Sequence, residues 1–374
     1  MLIKTLQLNN FRCYSEAKFE FDPSLTIIHG KNATGKSTIL EAIHVLGLAK
    51  SYRANSDFDL IKINELSYYV KGEILNQKRT DTVIVLNSNK VKKIKKNNDT
   101  YRSLADYIGY MNVVYYDPTD FYIFQGTPSL RRRFFDILFC QISKQYLNAS
   151  SEYKRLLKER NVLLKELVIK NDKATKNVLD IITKQLVDHG KKIITMRDKI
   201  IKKLESFAMD THKKLTNDKE RLNLRYRPNV SIEDYEYKME SMLNEDLMRG
   251  TTLIGPHKDD YIFIINNKNI GDYGSQGQQK SAILSVKLAS VELINEVKKQ
   301  YPIVLLDDVF SELDRDRQNQ LIRILNRKAQ TIITTATISD VEPSVLSLAK
   351  ILELEERGEW VEWRNSWWEF LWCQ

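Results

Sequence analysis

Eight residues, Gly30-Lys31-Asn32-Ala33-Thr34-Gly35-Lys36-Ser37, match the pattern G-x-x-x-x-G-K-[ST] in full. Glycine at its first and sixth positions lets the backbone curl so that successive N–H groups converge on phosphate oxygens, reinforced by the N-terminus of a following helix. Lys36 supplies a point charge to the same oxygens, and the Ser37 hydroxyl is a candidate ligand for Mg²⁺. The flanks suit this chemistry. The apolar run LTIIH ending at His29 precedes the loop, and Thr38-Ile39-Leu40-Glu41-Ala42-Ile43 opens a helix after it. Gly30, Lys31, Asn32, Ala33, Thr34, Gly35, Lys36, Ser37 and Thr38 are therefore the candidate nucleotide cradle, with ATP and Mg²⁺ the expected cofactors.

The other half of such a site lies far downstream. Ile303-Val304-Leu305-Leu306 leads into Asp307-Asp308, a buried-strand pattern that delivers carboxylates to one place. Asp307 is the expected metal ligand beside Ser37, and Asp308 is placed to orient or polarise the attacking water. Between loop and strand stands Tyr273-Gly274-Ser275-Gln276-Gly277-Gln278-Gln279-Lys280-Ser281, followed by a helical stripe through Leu284, Leu288, Val291 and Ile294. Ser-x-Gly-Gln at a helix start, ahead of the metal strand, is similar to the signature loop of ABC-type ATPases. There the serine and helix-start N–H groups of one subunit cap the γ-phosphate held by another. The expected catalytic set is thus Lys36, Asp308 and, acting in trans, Ser275. Ser311-Glu312-Leu313-Asp314 resembles the short loop that crosses that dimer interface.

The elements that must position these groups divide by glycine and proline. From Ser129 to Arg249 the only proline is Pro228 and the only glycine Gly190, which argues for long helices. Leu179, Ile182, Leu186, Ile193, Met196, Ile200, Leu204 and Phe207 form an amphipathic stripe there, and Glu152 to Val168 reads the same way. The flanks carry strand-like runs instead: LTIIH, DTVIVLN ending at Asn87, NVVYY ending at Tyr116, YIFII ending at Ile265, IVLL and TIITT ending at Thr335. Several are continuous apolar runs, the mark of strands buried on both faces of a largely parallel sheet. The expected architecture is α/β: a head built from 1–125 and 250–374, with a mainly helical lobe, 126–249, inserted.

Charge follows the same division. Residues 129–249 hold 27 of the 58 basic and 18 of the 49 acidic side chains, so they carry the whole net +9 and the rest balances at 31 each. Arg131, Arg132, Arg133, Lys191, Lys192, Lys199, Lys202 and Lys203, with Lys213 and Lys214, are candidates for a stripe that meets DNA phosphates. The run SNKVKKIKKNN from Ser88 to Asn98 reads most simply as a solvated hairpin tip. Cys13, Cys140 and Cys373 are isolated, which fits a reducing cytoplasm. The N-terminus lacks a signal-peptide layout, and no apolar run approaches the roughly 18 residues of a membrane span.

Taken together the motifs resemble the RecF family, bacterial repair ATPases with an ABC/SMC-like P-loop head. The resemblance rests on Lys4–Arg12 (KTLQLNNFR), the phosphate loop, Lys50-Ser51-Tyr52-Arg53, Gly126–Asp136 (GTPSLRRRFFD), Lys158–Lys165, Gly255–Asp260 (GPHKDD), the signature loop and LLDDVFSELD, and covers about the first 355 residues. It implies ATP binding, ATP-dependent homodimerisation, and binding of single-stranded, double-stranded and gapped or junction DNA. It also implies work with RecR and RecO to load RecA, and slow hydrolysis as the switch. Arg12 and Arg53 match family positions near the nucleotide, or are ordinary surface or capping arginines. Thr334 or Thr335 stands where ABC ATPases carry a switch histidine. His257 either senses nucleotide or is a structural turn histidine. Asp308 replaces the glutamate usual in ABC ATPases, and the tail 358–374, with all five tryptophans, departs from the family's ending. A transporter motor, an ATP-gated nuclease regulator and an architectural SMC-type clamp share parts of this motif set. They would want, respectively, a membrane-coupling surface, a further acidic metal cluster and long heptad arms, none of which the sequence displays.

Overall fold

The computed structural model describes residues 1–54, 56–77, 79–88, 91–170, 172–325 and 328–355, with the strand Trp360–Glu362. Apart from that strand, the Trp-rich tail lies outside the described residues, as do two positions of the lysine-rich run, 89 and 90. The chain forms two compact units, Met1–Pro118 with Ile294–Gln374, and Thr119–Leu293.

The first unit has two six-stranded sheets with a helix between them. In one sheet the strands lie in the order Trp360–Glu362, Lys350–Leu354, Leu25–His29, Thr331–Thr335, Ile303–Leu306, Val113–Tyr116. All neighbours are parallel except the first pair. IVLL, VVYY and TIITT are buried at every position, the two-sided burial their continuous apolar runs require. The second sheet is antiparallel: Tyr14–Glu20, Leu2–Phe11, Ser67–Asn76, Arg79–Ser88, Val91–Lys96, Asp99–Thr100. Its strands alternate, turning Leu6, Leu8, Tyr68, Val70, Val83 and Val85 inward and leaving polar side chains on the other face. DTVIVLN belongs to this sheet.

The helix Lys36–Leu48 fills the space between the sheets, and every residue from Ile39 to Leu48 is buried. Its N-cap is Gly35, with no side-chain cap and no acidic residue in the first turn. Forgoing a polar cap for glycine costs only a few tenths of a kcal/mol, whereas each large apolar side chain buried contributes about 1.5–3 kcal/mol. Packing therefore holds the helix; Thr38 and Ile39 N–H bond back to the Gly35 carbonyl, and the N–H groups of Lys36 and Ser37 at the very start are left for a ligand.

The second unit is led by helices Pro128–Ile142, Lys144–Lys170 and Lys173–Leu215. The last two run antiparallel, as the bonds Arg160–Thr183 and Tyr146–Arg197 require. Their seam includes Leu156, Leu164, Leu179, Leu186, Ile193, Ile201 and Leu204. A three-stranded antiparallel sheet, in the order Lys268–Asn269, Asp260–Ile265, Leu222–Arg227, completes the unit. YIFII alternates between buried and half-buried positions here, because only one face of this small sheet is covered. Among the described residues no helix is long and apolar enough to cross a membrane.

Candidate functional site

The phosphate loop depends on two glycines. Gly30 has φ 155° and Gly35 φ 99°. A Cβ on Gly30 would lie 2.5 Å from the Leu354 carbonyl oxygen, and one on Gly35 would lie 2.7 Å from the Tyr14 hydroxyl. Any side chain would push the loop off its support. Ala33 also takes the left-handed region, φ 68°, at the exposed crest with Lys31 and Asn32. Lys36 Nζ donates to the carbonyls of Gly30 (2.5 Å) and Lys31 (2.7 Å), and Thr34 Oγ1 donates to Lys31 O (3.0 Å). Burial pulls the Lys36 pKa below its ordinary value, against the opposing pull of Asp308 and Asp307. The ammonium thus spans the loop, held by neutral dipoles. Thr38 lies half-buried in the first turn of the helix Lys36–Leu48.

Strand geometry brings Asp307 to Ser37. Parallel pairing sets Leu306 beside Ile333 and beside Tyr116, so the residues just past these positions converge at one end of the sheet. Asp307 Oδ1 accepts from Ser37 Oγ (2.9 Å) and Thr334 Oγ1 (2.5 Å); Oδ2 accepts from Tyr115 OH (3.2 Å) and faces Arg53 NH2 (3.5 Å). Cis ligands of an octahedral Mg²⁺ at about 2.1 Å are about 3 Å apart. Ser37 Oγ and Asp307 Oδ1 are hard oxygen donors at that spacing, so the residues present fit this ion.

Sequence reasoning missed the aromatic support. Tyr52 and Tyr115 stack at 3.7 Å, His44 meets both edge-on, and Arg53 lies over the Tyr52 ring. The signal was available: NVVYY is an apolar run ending in tyrosine, and pairing it beside IVLL places a phenol next to Asp307.

Asp308 leaves the strand in a left-handed conformation, φ 46° and ψ 32°. Its N–H donates to Thr334 Oγ1 (3.1 Å), and its Oδ2 accepts from Ser311 Oγ (2.9 Å). Arg12 is tied elsewhere. It forms a two-pronged pair with Glu41, Nε to Oε2 2.9 Å and NH2 to Oε1 2.8 Å, and NH1 donates to Asp59 O (2.5 Å). Glu41 is fully buried and also accepts from Ser51 (2.5 Å), so Arg12 and Ser51 neutralise and solvate a carboxylate carried by the phosphate-loop helix. The structure brings Lys36, Ser37, Arg53, Asp307, Asp308 and Thr334 together, and sets Arg12 on Glu41.

The remaining candidates belong to the second unit. Ser275 is exposed at the start of helix Gln276–Lys298 in a capping box: its Oγ accepts from Gln278 N (3.2 Å), and its N–H donates to Gln278 Oε1 (3.1 Å). Arg131 is committed to Asp260 (2.6 and 3.0 Å) and to the carbonyls of Ile123 and Gly126. Arg132 donates to Asp259 O (2.7 Å), whereas Arg133 is exposed. Lys191 pairs with Glu236 and Lys202 with Asp198, while Lys192, Lys199 and Lys203 are exposed along one side of the long helix. His257 Nδ1 accepts from Tyr153 OH (2.7 Å) and Nε2 donates to Thr252 O (3.0 Å). Burial pushes its pKa down to about 4. With both ring nitrogens engaged in a buried turn, its surroundings are those of a structural histidine.

Comparison with known proteins fits this geometry. The RecF/RecN/SMC N terminal domain matches residues 2–353. A DNA replication and repair protein RecF of Bacillus cytotoxicus is 40% identical over 367 residues, 95% of this chain and 97% of its own. The chain belongs to the RecF family. The RecF of Ligilactobacillus salivarius is 38% identical over 368 residues, covering 95% and 96% of the two chains. A solved RecF–ATP structure from the RecFOR pathway superposes with a TM-score of 0.88 at 29% identity, covering 97% of each chain. The Pyrococcus furiosus Smc head, at 18% identity and TM-score 0.54 over 99% and 98% of the chains, shares the fold. The RecF fold, an ABC/SMC-type α/β ATPase head, is thus the fold of this chain, and RecF proteins act in DNA replication and repair.

Proposed function

We propose that this chain is an ATP-operated switch of recombinational DNA repair: it binds ATP and Mg²⁺, closes into a homodimer, holds DNA, and reopens on slow hydrolysis. The observation that carries the reading is the meeting of Lys36, Ser37 and Asp307, which lie up to 271 positions apart in sequence, around one loop. Lys36 turns its ammonium from the Gly30 and Lys31 carbonyls to β- and γ-phosphate oxygens, and the cradle from Gly30 to Thr38 offers backbone donors to the same groups. Ser37 and Asp307 would hold the metal, and Arg53, beside Asp307, would add positive charge at the edge of the site. Held there, Mg²⁺ would neutralise charge that develops on the phosphoryl oxygens. Asp308 orients the attacking water, and its short side chain suits a weak, DNA-dependent ATPase that works as a timer. Ser275, on an exposed helix start with its own capping box, serves the γ-phosphate of a partner copy.

DNA, including single-stranded and gapped forms, lies against the basic lobe 126–249, where Lys192, Lys199 and Lys203 are supported by exposure and Arg131 and Arg132 less so, being engaged within the unit. Arg12 serves the nucleotide only through the helix it secures. The family name and the RecFOR context of the RecF–ATP structure support RecR and RecO as partners in cytoplasmic recombinase loading. Sedimentation with and without a non-hydrolysable ATP analogue, repeated with gapped DNA at two salt concentrations, tests the whole reading. The analogue should give dimers, and DNA association should fall steeply with salt. A chain that stays monomeric at saturating analogue would contradict it.

A further inference from the structure

Resting on the ATPase reading, a further role falls to Ser311 and Thr334, different from the ones their motif positions suggested. Asp308 is held in three ways. Its backbone is turned into the left-handed region, φ 46°, a conformation that is strained for a non-glycine residue and persists where its surroundings enforce it. Thr334 enforces it, since one hydroxyl both accepts from Asp308 N–H (3.1 Å) and donates to Asp307 Oδ1 (2.5 Å), locking the two carboxylate residues in register. Ser311, one turn further on, reaches back to the Asp308 carbonyl (2.8 Å) and to Oδ2 (2.9 Å). The other carboxylate oxygen, Oδ1, is buried and has no hydrogen-bond partner among the described residues.

A buried acceptor without a partner loses its hydration with nothing in return, so an unrestrained side chain would rotate to satisfy it. We propose that Ser311 is the positioning residue of the hydrolytic step: its hydroxyl occupies Oδ2 and keeps Oδ1 as the acceptor for the O–H of the attacking water. Thr334 is its main-chain counterpart, fixing where the Asp308 side chain starts. The single Ser311 hydroxyl proton is shared by both acceptors; an ordinary turn serine would give it to the main-chain carbonyl alone, and its reach to Oδ2 is what fixes the carboxylate. Ser311 is exposed, so its loss changes stability little, while misplacing a reacting group by about 1 Å costs about 10²-fold in rate. Stability and turnover therefore separate a structural role from a positioning one.

The test compares wild type with Ser311→Ala and Ser311→Thr. Ser311→Ala is expected to lower kcat for ATP hydrolysis about 10- to 100-fold, with KM and the affinity for a fluorescent ATP analogue within about twofold of wild type. Ser311→Thr, which keeps the hydroxyl, restores most of the rate. In the protein without nucleotide or metal, the carboxyl carbon resonance of Asp308, assigned through Asp308→Asn, should move in Ser311→Ala and return in Ser311→Thr. If Ser311→Ala keeps pace with wild type, or the resonance stays put, this assignment alone falls. If wild type binds the analogue yet never turns ATP over, the ATPase reading falls and takes the assignment with it.

Discussion

In the unit Thr119–Leu293, Arg197 is buried with every guanidinium nitrogen engaged: Nε with Tyr146 OH (2.8 Å), NH1 with Pro256 O (2.7 Å) and Asp259 Oδ2 (2.8 Å), and NH2 with Asp136 Oδ1 (2.9 Å). Asp259 answers in kind, taking Asn229 N–H on Oδ1 and Arg197 and Tyr226 OH on Oδ2. At the phosphate loop the charges are held differently. Lys36 rests on two neutral carbonyls, Asp307 gathers hydroxyls and a guanidinium at 3.5 Å, and Asp308 keeps a buried oxygen unspent. A closed network has nothing left to offer a ligand, so its contribution is to the fold. An open one tolerates unsatisfied capacity because a ligand will use it.

That contrast can be broken by substitution on either side. Lys36→Met should abolish ATP binding, measured by titration with a fluorescent analogue, while unfolding in urea shifts little. Arg197→Met should do the reverse. It removes the buried ion pairs of Asp259 and Asp136 and should cost about 3–5 kcal/mol in chemical denaturation, leaving nucleotide affinity of the folded fraction unchanged. Equal effects of the two substitutions on stability would erase the distinction.

His257 sharpens it by pH. Its folded pKa of about 4 lies below the 6.5 of a free histidine, so the folded chain holds it neutral where the unfolded chain is protonated. The stability it contributes is complete above pH 6.5 and is lost as pH falls through that window to about 4, a change of about 3 kcal/mol. His257→Gln should flatten urea-unfolding stability across this range. The smallest effect is expected at the surface. Reversing Lys192, Lys199 and Lys203 should lower the slope of log affinity for DNA against log salt by up to about 0.9 for each phosphate no longer neutralised, with ATP binding intact. An unchanged slope would remove this helix side from the DNA surface.

What the sequence disclosed and what it hid follow the same physics. A phosphate loop and a strand ending in carboxylates are local patterns, and the runs LTIIH, VVYY, IVLL and TIITT announced two-sided burial before any pairing was known. The antiparallel sheet was harder. Its strand Leu2–Phe11 interleaves Thr5, Gln7 and Asn9 with buried leucines, an alternation easily taken for loop until its partners are known. Partner choice was hidden altogether. Nothing near Arg12 in sequence says that a buried Glu41 will claim it, or that Arg131 will close on Asp260, because such pairings are set by tertiary packing and not by spacing. Thr334 stood out only as a residue lacking a histidine's chemistry; its bonds to Asp307 and Asp308 required the register of two parallel strands.

The strand Leu25–His29, which leads into the phosphate loop, lies between Thr331–Thr335 and Lys350–Leu354. On the ribosome it is made early and must wait unpaired until nearly the whole chain has emerged. The unit Thr119–Leu293 is one unbroken stretch, free to fold as soon as it clears the exit tunnel. At roughly 5–20 residues per second it has a lead of several seconds over the nucleotide cradle. Synthesis itself therefore imposes an order of assembly, in which the basic helices are in place before the chain can grip its first nucleotide.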